Sequence, residues 1–148
     1  MGVFDSFNIN ASGLTAQRYR MDVISENVAN ANTTRTEDGT PYKRKIVTFE
    51  EKNGGTPNFS TVFGRCTDRY RSKGVKVSGT YEDSSEGSMV YDPSHPDADE
   101  NGYVTYPNVN IITEMTNLID ASRSYEANAT AFDASKKIAQ QGLTMGNS

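Results

Sequence analysis

Both ends of this chain carry apolar residues at helical spacing, and the middle carries none. Phe7, Leu14, Met21 and Val28 recur every seven residues. Phe4, Ala11 and Ile24 widen the same stripe, while Arg18 and Ser25 interrupt it. This period is that of an amphipathic helix, and it predicts one over residues 1 to about 32. Asp5 or Ser6 is placed to cap its start, and Asn30 or Asn32 to end it. Gly13 in its interior costs about 1 kcal/mol relative to Ala. Such a helix is marginal by itself and needs a packing partner.

The second stripe runs from about 108 to 143. Positions 111, 115, 118, 122, 125, 129, 132, 136, 139 and 143 advance by alternating steps of four and three. They hold Ile, Met, Leu, Ser, Tyr, Ala, Phe, Lys, Ala and Leu, a heptad seam broken at Ser122 and Lys136. Pro107 and Asn108 supply a start signal, and Gly142 and Gly146 a stop. Ile112 and Ile119 broaden the early part.

Residues from about 33 to 107 hold all five prolines and most of the glycines. Short alternating runs replace the helical period: Tyr42 to Phe49, Gly74 to Tyr81, Met89 to Tyr91 and Tyr103 to Tyr106. Val75, Val77 and Tyr81 share one strand face. Asp38-Gly39, Asn53-Gly54-Gly55, Glu86-Gly87 and Asn101-Gly102 separate the runs as turns, with a loop expected at 52 to 62. The expected class is α+β: N- and C-terminal helices paired as a coiled coil, with a small β-rich insert. The expected segments are 1–34, 35–107 and 108–148, the first and last forming one domain.

Apolar residues make up only 34% of the 148, short of the usual share for a globular domain. A two-helix pair would leave Phe4, Ile112 and Ile119 uncovered, so much of the burial is expected from partner chains. Net charge is −4, which disfavours nucleic acid. The charge is segregated. Arg65, Arg69, Arg71, Lys73 and Lys76 face only Asp68 in their stretch, whereas Glu82, Asp83, Glu86, Asp92, Asp97, Asp99 and Glu100 run on without Lys or Arg. Such blocks are solvated faces, self-neutralising strands or complementary patches between identical subunits. The lone Cys66 has no internal disulfide partner and reads as a small buried apolar residue. No window reaches the length of a membrane span. The N-terminus MGVFDSFNINASGL lacks the features of a cleaved signal, so export without one is expected.

Catalytic chemistry finds no constellation. His95 has no second histidine to complete a metal site or a proton relay. No glycine-rich phosphate loop precedes a helix. Asp97, Asp99, Asn101, Gly102 and Val104 fit a calcium loop in part, but its twelfth position is Asn108 where a bidentate Glu is needed. An acidic turn into a strand is the better reading. No cofactor or metal is expected.

Two terminal marks carry a resemblance. The first is Ser12-Gly13-Leu14-Thr15-Ala16-Gln17 followed by Asn27-Val28-Ala29-Asn30-Ala31-Asn32-Thr33. The second is Tyr103-Val104, Pro107-Asn108-Val109, Glu114-Met115 and the run Ala121 to Asn128. Together they resemble the axial proteins of the bacterial flagellum, and most of all the short C-type proximal subunits of the basal-body rod. The resemblance implies a structural subunit whose uncleaved N-terminus carries information for flagellar type III export. It implies terminal helices that assemble with copies of itself and with other rod proteins into a hollow shaft carrying torque from rotor to hook. It places the protein in the basal body, in the periplasm or cell-wall zone, with no membrane insertion.

The residues expected to pack in assembly are Phe7, Leu14, Met21, Val28, Asn27, Asn30 and Thr33 at the front, and Ile111, Met115, Leu118, Tyr125, Asn128, Ala129 and Phe132 at the back. Asn27, Asn30, Asn32 and Thr33 read either as a helix end or as amides bonding between packed subunits. Arg123 and Glu126 read either as a surface pair or as a register contact. Two other functions stay open: a secreted wall-acting enzyme using insert carboxylates, and a self-contained dimeric binding module.

Overall fold

A computed structural model describes residues 3–52 and 74–146, with side chains from residue 5. The basic residues Arg65, Arg69, Arg71 and Lys73, Cys66, the loop expected beyond Lys52 and the Phe4 side chain lie outside the described part. Helix α1 spans Val3–Ala29 and helix α2 spans Ile111–Gly146. Between them come β1 (Lys45–Glu51), β2 (Val75–Glu82), β3 (Met89–Tyr91) and β4 (Tyr103–Thr105). The class is α+β, as the two stripes and the alternating runs predict. Strands β1 and β2 form one two-stranded sheet and β3 and β4 another. Lys52 N–H donates to Gly74 O at 2.9 Å and Asp83 N–H to Arg44 O at 2.7 Å, so β1 and β2 run antiparallel.

The chain divides into two compact units. One combines residues 1–18, 49–78 and 123–148; the other combines Tyr19–Thr48 and Gly79–Ser122. Both helices and the first sheet therefore contribute to each.

In the first unit, α1 and α2 lie antiparallel. Phe7 meets Phe132 edge-on with ring centroids 5.1 Å apart. One turn and a half further along α1, Gly13 meets Asn128 further back along α2. A Cβ on Gly13 would sit 2.8 Å from Asn128 Oδ1, so the bare backbone is what admits the close approach. The glycine that weakens α1 as a helix thus fits it to its neighbour. Beyond Phe132, α2 continues for 14 residues, whereas α1 extends only 4 before Phe7. About ten residues of α2, roughly 15 Å, thus project past the start of α1. Ile138, Leu143 and Met145 on this stretch are exposed.

The second unit holds most of the buried core: Val23, Ile24, Ala31, Tyr42, Val104 and Ala121. Asn110 caps α2: its Oδ1 accepts the Thr113 N–H at 3.2 Å, and its carbonyl accepts the Glu114 N–H at 2.9 Å. Asn108, read from the sequence as part of the start signal, serves the strands instead. Its Oδ1 accepts the Arg44 N–H at 3.0 Å.

Two expectations shift. Much of each stripe lies at the edge of the deepest contact, although Ile24 of the first is buried. On α1 the buried positions are Gly13, Ala16, Val23, Ile24 and Asn27, with Leu14, Met21 and Val28 half-buried at the edge and Ala11 exposed. The cause is that α1 is held by strand ends as well as by α2, with Gly13 at the close approach to Asn128. On α2 the buried residues are Glu114 and Ala121, while Ile111 and Met115 are exposed. In addition, α2 runs through Gly142 to Gly146, and α1 is already helical at Val3, placing Asp5 and Ser6 inside its first turns.

Candidate assembly surface

The largest fully buried side chain of the second unit is a carboxylate. Glu114 is 1% exposed. Its Oε1 accepts from Arg44 Nε at 2.9 Å and from Arg44 Nη2 at 2.7 Å. Its Oε2 accepts from Asn27 Nδ2 at 3.1 Å. A buried charge is tolerated only with such partners. Arg44 also lies 3.7 Å from Asp83, which ties the residue before β1, the residue after β2 and α2 together.

Asn27, also 1% exposed, uses its whole amide. Nδ2 donates to Glu114 and to Lys45 O at 2.8 Å; Oδ1 accepts from Lys45 N–H at 2.9 Å and from the Tyr42 hydroxyl at 2.9 Å. Two donors and two acceptor sites exhaust the group. Burial pushes the Tyr42 hydroxyl up to about 12, with the carboxylates of Glu26, Glu114 and Glu82 adding to the effect. Lys45 pairs with Glu26 beside it.

In the first unit, Ser12 links α1 to β2. Its hydroxyl donates to Ile9 O at 2.7 Å and accepts the Val75 N–H at 3.1 Å. Gly74 before it has φ +89°, and a Cβ there would lie 2.1 Å from Ser12 Oγ. The Ser12-Gly13 pair therefore serves two neighbours: the serine a strand end, the glycine a helix.

Around β3 and β4 the acidic side chains hold turns. Asp92 Oδ1 accepts from Ser94 N–H and Oγ, which keeps its carboxyl below the usual range. Asp99 Oδ1 accepts from the Asn101 and Tyr103 N–H groups at 2.9 and 2.8 Å. Asp97 accepts from Thr34 Oγ1 at 2.8 Å. His95 Nδ1 accepts the Asp97 N–H at 3.1 Å. These carboxylates are fastened to the chain's own backbone and hydroxyls.

Comparison with known proteins places these motifs. Residues 7–35 match the family described as flagella basal body rod protein, and residues 100–145 match the C-terminal region described for flagellar basal body rod FlgEFG proteins. The flagellar basal-body rod protein FlgC of Bacillus subtilis is 43% identical over 152 aligned residues, covering 99% of both chains. That of Borreliella burgdorferi is 42% identical with 98% of both chains covered, and that of Salmonella typhimurium 37% with 99%. The chain belongs to the flagellar basal-body rod protein family.

The rod-family residues singled out from sequence divide in four. Asn27 is committed within its own chain and has no amide group left for a neighbouring subunit. Asn30 and Thr33 form the helix end: Asn30 Nδ2 donates to Glu26 O at 3.0 Å, and Thr33 Oγ1 donates to Asn30 Oδ1 at 3.1 Å. Phe7, Leu14, Met21, Val28, Leu118, Tyr125, Asn128, Ala129 and Phe132 are half-buried, covered on one side only. Ile111 and Met115 are exposed, beside Ile112 at 78% and Ile119. Residues 112, 115 and 119 share one helix face, so the start of α2 presents an apolar ridge. Arg123 and Glu126 are exposed and make no ion pair among the described residues.

Sequence reading missed Arg44, Tyr42 and Glu114 as a unit, and Ser12 and Asn108 as strand anchors. A signal was present: an Asn and a Glu stand in the family marks at opposite ends of the chain, both polar on faces otherwise read as apolar.

Proposed function

We propose that this chain is a structural subunit of the bacterial flagellar basal-body rod. Copies stack through segments 1–34 and 108–148, which act as one assembly domain, while 35–107 remains an insert. In the stack the exposed and half-buried apolar side chains of the helices are covered by copies of the same chain and by other rod proteins. The product is a shaft that carries torque from rotor to hook. The role requires no catalytic step and no cofactor. Delivery is by flagellar type III export with an uncleaved N-terminus, to the basal body in the periplasm or cell-wall zone.

One observation carries this reading. The outward face of α2 leaves Ile112, Met115 and Ile119 exposed on a helix whose inward face buries a carboxylate, Glu114, along with Ala121. An apolar ridge of this kind marks a protein contact. The half-buried state of Leu14, Met21, Val28, Leu118, Tyr125 and Phe132 supports it further. The experiment is sedimentation velocity on the full chain and on Ile112→Asp/Ile119→Asp across a concentration series. The wild type is expected to form oligomers that grow with concentration, and the variant to remain monomeric. Equal oligomerisation of both would reject the reading.

A further inference from the structure

One face of the β3–β4 hairpin is largely exposed, with Tyr103 and Thr105 lining a cavity beside Arg35 and Pro41. Its register pairs Met89 with Thr105, Val90 with Val104 and Tyr91 with Tyr103. Side chains alternate across a strand, so Met89, Tyr91, Tyr103 and Thr105 share a face, and Val90 and Val104 the other. Val104 is fully buried, whereas Tyr91 is 63% exposed, and Met89, Tyr103 and Thr105 are exposed with it. The two tyrosine rings stand 5.3 Å apart at 66°, a fixed aromatic platform open to its surroundings. Carboxylates stand at both ends of it. Glu86 precedes β3 and Glu100 precedes β4; both are exposed and neither forms an ion pair among the described residues. From Glu82 to Glu100 the chain holds seven carboxylates and no Lys or Arg. Among the described residues, Arg44 at Asp83 and Arg35 at Asp97 offset them from elsewhere.

The matching chemistry is in the same sequence. Arg65, Arg69, Arg71 and Lys73 are interspersed with Phe63 and Tyr70. Guanidinium groups suit exposed tyrosine faces and carboxylates alike. We infer that the open face of the β3–β4 hairpin docks the basic stretch Arg65–Lys73 of a second copy of this chain. This rests on the rod reading, in which copies lie side by side, and adds to the helix contact a second, charge-directed one.

The occupant follows from charge: the acidic run and the basic stretch stand in one sequence, so every neighbouring copy in the rod reading carries both. A contact between unlike patches on identical subunits is heterologous, and a heterologous contact that does not close propagates into a helical filament. An acidic face and a basic stretch on one chain supply that polarity, and they suppress pairing of like faces.

The test uses charge exchange in the full chain, read by sedimentation velocity at low and high salt. Glu86→Lys/Glu100→Lys and, separately, Arg69→Glu/Arg71→Glu are each expected to weaken self-association about tenfold at low salt and less at high salt. An equimolar mixture of the two is expected to recover association. Glu86→Gln/Glu100→Gln, which keeps shape and removes charge, is expected to weaken it in the same direction, guarding against a folding defect in the reversed form. Unchanged association in all charge variants, with loss confined to Ile112→Asp/Ile119→Asp, overturns the inference and leaves the rod reading standing. Recovery only when both reversals share one chain, and not in the mixture, places the contact within a single molecule and overturns it too. Loss in the charge variants with none in the ridge variant would reject the helix contact, and with it the rod reading on which this inference rests.

Discussion

Arg44 grips a single oxygen of Glu114, Nε at 2.9 Å and Nη2 at 2.7 Å, and leaves the other oxygen to Asn27 at 3.1 Å. The ion pair joins residues 70 positions apart, and the amide bond residues 87 apart. Removing one partner strands a charge. Glu114→Leu is expected to lower unfolding stability by about 3–5 kcal/mol, and Arg44→Met/Glu114→Leu to recover most of that loss. Urea unfolding followed by circular dichroism measures both. A double variant no better than the single would mean the pair contributes through more than its charges.

The two motif asparagines are predicted to differ. Asn27→Ala leaves the Tyr42 hydroxyl and the Lys45 N–H unpaired in a buried site and is expected to cost about 2–4 kcal/mol. Asn30→Ala removes a half-buried helix-end bond and is expected to cost about 1 kcal/mol. Equal losses in the same urea titration would contradict the assignment of Asn27 as the buried junction.

Gly13→Ala sets two effects against each other. Alanine improves helix propensity by about 1 kcal/mol, but its Cβ would fall 2.8 Å from Asn128 Oδ1. The substitution is expected to destabilise the native chain. In an Asn128→Ala background the same substitution is expected to stabilise by up to about 1 kcal/mol. A double-mutant cycle reads this change of sign directly.

Tyr42 links stability to alkaline pH. Its hydroxyl holds its proton more tightly folded than unfolded, about 12 against 10. The raised value means the contribution is complete below pH 10 and is lost as pH rises towards 12. Two units correspond to about 2–3 kcal/mol. Wild type is expected to lose stability over that window, and Tyr42→Phe to show a flatter profile from a lower starting value. Tyrosinate absorbance during the titration identifies the group.

The elements were legible because their periods differ. Heptad spacing marked α1 and α2, and alternation with Gly-containing turns marked all four described strands to within a few residues. What was not legible is which side of each helix lies deepest. Ile111, Met115 and Leu118 form a plausible seam, yet Glu114 occupies the buried position. A carboxylate reads as polar until its partners are known, and Arg44 and Asn27 lie far away in sequence. Gly13 was misleading in the same way: its cost to a lone helix is local, while its benefit depends on Asn128. Asn110 holds the capping role expected of Asn108, because either is a good cap and only the strand ends decide between them.

The central claim is that the ridge at the start of α2 is open in the free chain and covered in the rod. Single cysteines at Ile112 and Ile119, in a Cys66→Ser background, test it by thiol-labelling rate. The free subunit is expected to label at both positions about as fast as an unstructured peptide, and the same positions in purified basal bodies to be protected by at least tenfold, on the order expected for a buried interface. Equal labelling in the two states would contradict the account.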